Sequence, residues 1–200
     1  MRLTKERIIE EALQLLNEGG LQTVTLRKIA KKLNVYASAL YWHFKNKDAL
    51  VNEMAETIIS TAFIEKAAKD EKVSWEDWLT NMFVSLRMAL LTYEDGARVV
   101  MNAQTPNALA QLTEDAMYIL INENITLHDA RLMIHTAIRY TFGFVIEEQA
   151  VTNEINTDSS GLEQFKIDYP LTYQATNEYI TSNKTMEDVF KDGLRLIISY

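Results

Sequence analysis

A run of polar and aromatic side chains between residues 36 and 47 could recognise nucleic acid. Residues 36–44 read YASALYWHF, and helical spacing turns Leu40 and Phe44 toward a core. The other side chains combine small residues, which let a helix approach base edges, with hydroxyl and imidazole groups that form hydrogen bonds. Lys47 stands where the next predicted helix begins, a position that favours a phosphate. The candidate DNA contacts are Arg27, Tyr36, Ala37, Ser38, Tyr41, Trp42, His43 and Lys47.

The elements that must position these side chains form a predicted helix-turn-helix. In this unit two short helices, joined by a tight turn, pack on a longer one, and the second short helix enters the major groove of DNA. Its predicted parts are a helix over 4–18, a stop at Gly19 and Gly20, a short helix capped by Thr25, a turn at Asn34, the reading helix over 37–44 and a fourth helix capped by Asn46. For Trp42 there are two predictions: its side chain packs within the protein, or it contacts a DNA phosphate.

Charge is divided unevenly along the chain, whose net charge is −8. Residues 1–47 hold nine of the 20 Lys/Arg and four of the 28 Asp/Glu, a balance of +5. The remainder therefore holds 11 bases and 24 acids, a balance of −13. Because salt screens charges beyond about 10 Å, a basic end can attract phosphates despite an acidic body. The charge distribution alone is also consistent with a basic surface that contacts only water. The helix-turn-helix pattern favours a DNA-binding surface instead.

Beyond this unit the chain predicts an all-α fold of about ten helices. We expect a helix-turn-helix domain at 1–47 and a second helical domain at 48–200. After a polar connection at 66–74, helices are predicted over 75–92, 95–102, 107–123, 126–149, 170–181 and 185–199, with a loop over 150–169. No apolar run approaches the roughly 18 residues of a membrane span, and the N-terminus lacks the apolar core of a signal peptide. A cytoplasmic location with no membrane partner is therefore expected.

The residues offer little for catalysis, so we expect no enzyme, no catalytic residue, no cofactor and no metal site. There is no cysteine to act as a nucleophile or a metal ligand. His128 and His135 lie seven residues apart, which separates them by about 10 Å along a helix and makes them poor ligands for one ion. The neighbouring Glu147 and Glu148 point in different directions and do not form a catalytic pair.

The segment TVTLRKIAKKLNVYASALYWHFKNKDALV, and LYWHFKNKDAL within it, resembles the TetR family of repressors. SWEDWLTNMFVSLRMALLTYEDGARVV, YTFGFVIEEQA and MEDVFKDGLRLIIS resemble helices of the tetracycline-repressor branch. The resemblance implies a homodimeric repressor on a palindromic, double-stranded DNA operator, released by a small-molecule inducer. It places the dimer interface in helices 126–149 and 185–199, although their apolar faces could instead be intramolecular core. It also places base contacts at Ala37, Ser38 and Ala39, and the two alanines predict an operator different from that for tetracycline.

The same resemblance implies an effector pocket in the second domain. The tetracycline branch binds its drug with magnesium through histidine and threonine, where this chain has Val100 and Ala103, which offer no oxygen ligand. We therefore expect a largely apolar inducer. The candidate ligand contacts are Phe63, Met82, Leu86, Val100, Gln104, Met117, Arg139, Phe144 and Glu147. Alternatives are ordinary core packing with Arg139 and Glu147 ion-paired, a response to magnesium–tetracycline, or a protein effector.

Overall fold

The computed structural model describes residues 3–63, 73–104, 106–151 and 159–199. Within those ranges the chain forms eleven α-helices and two short 3-10 turns, and no strand. The helices are α1 (Lys5–Gly19), α2 (Leu26–Lys32), α3 (Ala37–Tyr41), α4 (Lys47–Ser60), α5 (Trp75–Leu91), α6 (Gly96–Asn102), α7 (Asn107–Asn122), α8 (Leu127–Val151), α9 (Ser159–Asp168), α10 (Pro170–Thr181) and α11 (Met186–Ile198). The all-α prediction is confirmed.

Helix boundaries follow the capping residues that the sequence indicates. The side chains of Thr25, Asn46 and Thr185 each accept a hydrogen bond from a backbone N–H three residues later, which satisfies a donor that the first turn leaves unpaired. Gly20 ends α1 with a positive φ of 69°, and Asn34 takes a φ of 53° in the turn before α3. These local signals fix the lengths of the short helices in the first domain.

The structure corrects two predicted elements. The reading helix expected over 37–44 ends at Tyr41, with Trp42 as its C-cap. The loop expected over 150–169 contains helix α9, Ser159–Asp168, while residues 152–158 lie outside the described ranges. Leu162, Phe165 and Tyr169 are spaced as neighbours on one helical face, and the rings of Phe165 and Tyr169 lie 5.2 Å apart. Polar residues preceding this segment obscured that spacing. In the polar connection predicted at 66–74, residues 66–72 also lie outside the described ranges.

A single hydrophobic core extends through both predicted domains. It includes Ile8, Leu16 and Leu40 near the N-terminus and Phe83 and Phe190 further along the chain, all of them buried. Helix α4 connects the two regions because it packs against α1 on one side and against α6 and α7 on the other. The first three helices are therefore fixed to the rest of the molecule through α4.

A buried ion pair joins three helices of the second domain. Arg87 of α5 is only 4% exposed, and its Nε donates to Glu148 Oε2 of α8 at 2.9 Å while Nη2 donates to Oε1. The guanidinium also lies 5.7 Å from the ring centre of Phe144 and 5.6 Å from that of Phe190 in α11, a cation–π arrangement. The alternative pairing of Arg139 with Glu147 is wrong: both residues are exposed and form no ion pair with each other, and the buried pair is Arg87 with Glu148.

Replacing Arg87 should destabilise the protein strongly. Arg87→Met leaves the Glu148 carboxylate without its cation, and breaking a buried pair in this way costs about 3–5 kcal/mol. Arg195→Met is the matched control, because Arg195 pairs with Asp192 in solvent and an exposed pair contributes at most about 1 kcal/mol. Urea denaturation at one fixed protein concentration measures both changes. Equal stability of the two variants would contradict a structural role for the buried pair.

Candidate functional site

Helix α3 is held by two buried side chains and presents its remaining surface to solvent. Leu40 and Phe44 are buried in the core. On the other side, Tyr36 is 87% exposed and Trp42 is 91% exposed, and Tyr41 is also exposed. Trp42 therefore does not pack into the core of its own chain. Three large aromatic side chains in water carry a cost that a binding partner would remove.

Most of the other predicted DNA contacts are also exposed in the structure. Ser38 and His43 are exposed, as are Arg27 near the start of α2 and Lys47 at the start of α4; Ala37 is half-buried. The ammonium of Lys47 donates to the backbone carbonyl of Leu21 at 3.3 Å, which places it beside the turn that precedes α2.

Positive charge on this region is largely uncompensated. Lys32 is paired with Glu11 at 3.5 Å and also contacts Glu18. By contrast, Arg27, Lys45 and Lys47 form no ion pair among the residues that the structure describes. The exposed face around α3 therefore combines aromatic rings, hydroxyl and imidazole groups with free cations, which is the chemistry of a nucleic-acid surface.

Polar contacts that the sequence analysis missed connect this region to the second domain. Asp95, in the turn between α5 and α6, takes a φ of 55° and accepts the backbone N–H of Leu21 through Oδ2 at 2.9 Å. The backbone N–H of Glu94 donates to Asn17 Oδ1 of α1 at 2.8 Å. Partial burial acts to raise the pKa of Asp95, but the hydrogen bonds from Leu21 and Arg98 outweigh it and lower that pKa. The Asp-Gly pair at 95–96 was the only local signal of this turn.

Helix α4 makes two further contacts of this kind. Asn52 accepts the backbone N–H of Gln104 through Oδ1 at 2.9 Å. The carboxylate of Glu56 accepts the backbone N–H of Ala108 at 3.1 and 3.2 Å. Both acceptors lie on α4, and both donors belong to the chain that follows α6, so the position of α4 is tied to that segment.

The predicted effector residues separate into two groups. The apolar members contribute to the core of the second domain; they are Met82, Leu86, Val100, Met117 and Phe144. The polar members Gln104, Arg139 and Glu147 are exposed, and Arg139 donates to the backbone carbonyl of His135 at 3.2 Å. The three polar residues are thus not brought into the apolar interior with the others. The side chain of Phe63 lies outside the described part of the structure.

The described residues provide neither a metal-binding cluster nor a membrane-spanning helix. Among them, no cluster of three or more His, Asp or Glu side chains could hold an ion. Val100 is buried and Ala103 is half-buried, and neither side chain carries an oxygen or nitrogen donor. The described helices include none that is long and apolar enough to cross a membrane.

Removing the buried Leu40 side chain, which attaches α3 to the core, should lower the free energy of unfolding of the protein. Leu40→Ala removes a buried side chain from the core, a change that costs about 2–5 kcal/mol. The adjacent exposed position supplies the control: Tyr41→Ala should change the free energy of unfolding by less than about 0.5 kcal/mol. Chemical denaturation followed by circular dichroism measures both. If Leu40→Ala were as stable as Tyr41→Ala, α3 would not depend on this contact.

Comparison with known proteins assigns the chain to a family. Residues 8–54 match the profile described as bacterial regulatory proteins, tetR family, and residues 67–199 match that of the tetracyclin repressor-like C-terminal domain. The class A tetracycline repressor protein from transposon 1721 of Escherichia coli is 33% identical over 201 residues, covering 98% of this chain and 89% of the relative.

Two solved structures extend the similarity. A variant of TetR from Acinetobacter baumannii AYE, in complex with minocycline, superposes with a TM-score of 0.76 at 29% identity, covering 99% of this chain and 96% of the other. BioQ with its double-stranded DNA operator gives a TM-score of 0.64 at 28% identity, covering 74% and 89%. The matched relatives are transcriptional regulators, and the resemblance stated from sequence is confirmed. The chain belongs to the TetR family of bacterial regulatory proteins, with a C-terminal domain of the tetracycline-repressor type.

Proposed function

We propose that this protein is a ligand-responsive transcriptional repressor that binds a palindromic operator as a homodimer and leaves it when a small, largely apolar inducer binds. The observation that carries the proposal is the exposed surface around α3, where Tyr36 and Trp42 stand in solvent and the nearby Lys45 and Lys47 form no ion pair among the described residues. The solved complex of BioQ with its operator supports it. In this proposal residues 1–47 form the DNA-binding head and residues 48–200 form the body.

The side chains of the head divide by the part of DNA they would contact. Arg27 and Lys47, which form no ion pair among the described residues, suit phosphates, and Ser38, Tyr41 and His43 suit base edges in the major groove. Tyr36, Ala37 and Trp42 complete the contact surface. Ala37 and Ala39 offer only methyl groups, which can contact the methyl of thymine but cannot accept or donate a hydrogen bond. The operator therefore differs from that of the tetracycline repressors.

A second copy of the chain is the proposed partner for α8 and α11. Leu132 of α8 is 58% exposed and Leu196 of α11 is 84% exposed, although both helices already pack against each other within the chain. Two helices from each subunit would bury these side chains in a four-helix bundle. A two-fold axis through that bundle relates the two heads, which is why the operator is palindromic.

The inducer class follows from the side chains of the body. The apolar candidates Met82, Leu86 and Val100 lie on α5 and α6, and Met117 and Phe144 lie on α7 and α8. A ligand that separates these side chains contacts mostly carbon and sulfur, so it is largely apolar. Polar anchors for it would have to come from Gln104, Arg139 or Glu147 after rearrangement. No oxygen donor stands at Val100 or Ala103 to hold a magnesium-chelated drug.

Removing Lys47 should weaken DNA binding by the same factor on specific and random duplexes. Lys47→Ala removes one phosphate contact, so the slope of log K against log salt should fall by about one. Lys184→Ala is the control, because Lys184 is an exposed lysine of the body, paired with Asp192. Fluorescence anisotropy at several salt concentrations measures the slopes. An unchanged slope in Lys47→Ala would remove Lys47 from the DNA face.

Magnesium–tetracycline should not bind in the micromolar range. The expectation rests on the absence of ligand atoms at Val100 and Ala103. Isothermal titration with tetracycline and magnesium, repeated with EDTA, tests it directly, and micromolar binding that EDTA abolishes would contradict it.

In parallel, lipophilic compounds should raise the melting temperature by mass action. A broad screen without any stabilising compound would favour a protein effector.

A further inference from the structure

A groove of about 410 Å³ lies between the DNA-binding head and the body. One face of α1 forms its first wall, and Thr57 of α4 with Tyr93 of the α5–α6 turn forms the opposite side. We refer to it as the head groove. Its volume is within the range of small-molecule sites, and it contains none of the residues assigned above to DNA or inducer binding.

The head groove has an apolar centre and an acidic end. Ile9 and Leu13, both largely buried, lie along its α1 wall, with the half-buried Tyr93 across from them. Glu6 and Glu10 line the same wall one helical turn apart, and both are exposed. The groove therefore offers apolar contact next to two carboxylates.

The two carboxylates at this end form no ion pair within the described protein, although the charges of Lys5 and His43 act on Glu6. Residues 1–47 contain four acidic side chains, and two of them, Glu11 and Glu18, share Lys32. Glu6 and Glu10 form no ion pair among the described residues, and both line the head groove. Like charges at i and i+4 repel, so a cation placed between them would relieve a cost that the free protein carries.

Glu6 is ionised at neutral pH. A hydrogen bond from its own backbone N–H and one from the Thr4 hydroxyl lower the pKa of its carboxyl. The negative charge at the end of the groove is thus a permanent feature at the pH where the protein would bind DNA.

We propose that the head groove binds a small amphipathic cation. Its apolar part lies against Ile9, Leu13 and Tyr93, and its ammonium or guanidinium group lies between Glu6 and Glu10. The walls belong to the head and to the body. The affinity for such a ligand therefore depends on how the head and the body are positioned, and binding of the ligand in turn favours one position. The proposal is independent of the inducer proposed above, since it uses none of the same side chains.

The experiment compares a cation with a neutral molecule of the same shape. Isothermal titration of the full-length protein with 4-phenylbutylammonium should show binding, and 4-phenylbutanol should bind more weakly. Glu6→Gln combined with Glu10→Gln keeps the shape of both side chains and removes their charge. This double variant should lose roughly fivefold in affinity for the cation, the effect of two exposed ion pairs. Its affinity for 4-phenylbutanol should stay unchanged.

Glu18→Gln is the matched control, because it removes a negative charge from α1 outside the groove. It should bind the cation like the unmodified protein. Absence of binding by the unmodified protein would overturn the proposal. Equal affinity of the double variant and the unmodified protein would also overturn it, since the cation would then occupy another site, such as one in the body.

Discussion

Helix α3 is only five residues long, so its orientation depends on two buried side chains, one within the helix and one in the turn that follows it. Leu40 and Phe44 are enclosed, and α2 packs against α3 through the tight turn at Asn34. A helix of this length has no stability of its own in water. The core beneath it therefore determines where Tyr41, Trp42 and His43 stand. The proposed contacts to base edges rest on that attachment.

The position of the head also depends on its contacts with the body. Helix α4 packs on α1 and also on α6 and α7, and Asp95 and Asn17 add polar contacts between the head and the α5–α6 turn. Beyond that turn, the pair of Arg87 with Glu148 joins α5 to α8 and lies against Phe190 of α11. A chain of contacts thus leads from α3 to the helices proposed for the dimer. In a dimer, the distance between two heads would be set through these contacts.

Much of the fold could be predicted because the signals are local. Thr25, Asn46 and Thr185 cap helices through bonds to residues three positions away, and the chain need not be folded for the pattern to be read. Arg87 and Glu148 lie 61 residues apart, and no sequence pattern near either residue indicates that the two form an ion pair. Gln104, Arg139 and Glu147 were expected in the effector pocket through the resemblance to the tetracycline branch, but a resemblance does not say whether a polar side chain faces inward. For α9, the polar residues that precede it obscured the helical spacing of its apolar side chains, so the segment was predicted as a loop.

Selection of bound sequences from random duplexes, followed by footprinting of the complex, tests the central claim most directly. We expect a palindromic consensus with two protected half-sites whose centres lie about one helical turn, roughly 10 base pairs, or a multiple of it apart. We also expect that Tyr41→Ala, whose fold should remain intact, alters the consensus within both half-sites. Recovery of no consensus, or of a single asymmetric site, would contradict binding by a symmetric pair of heads.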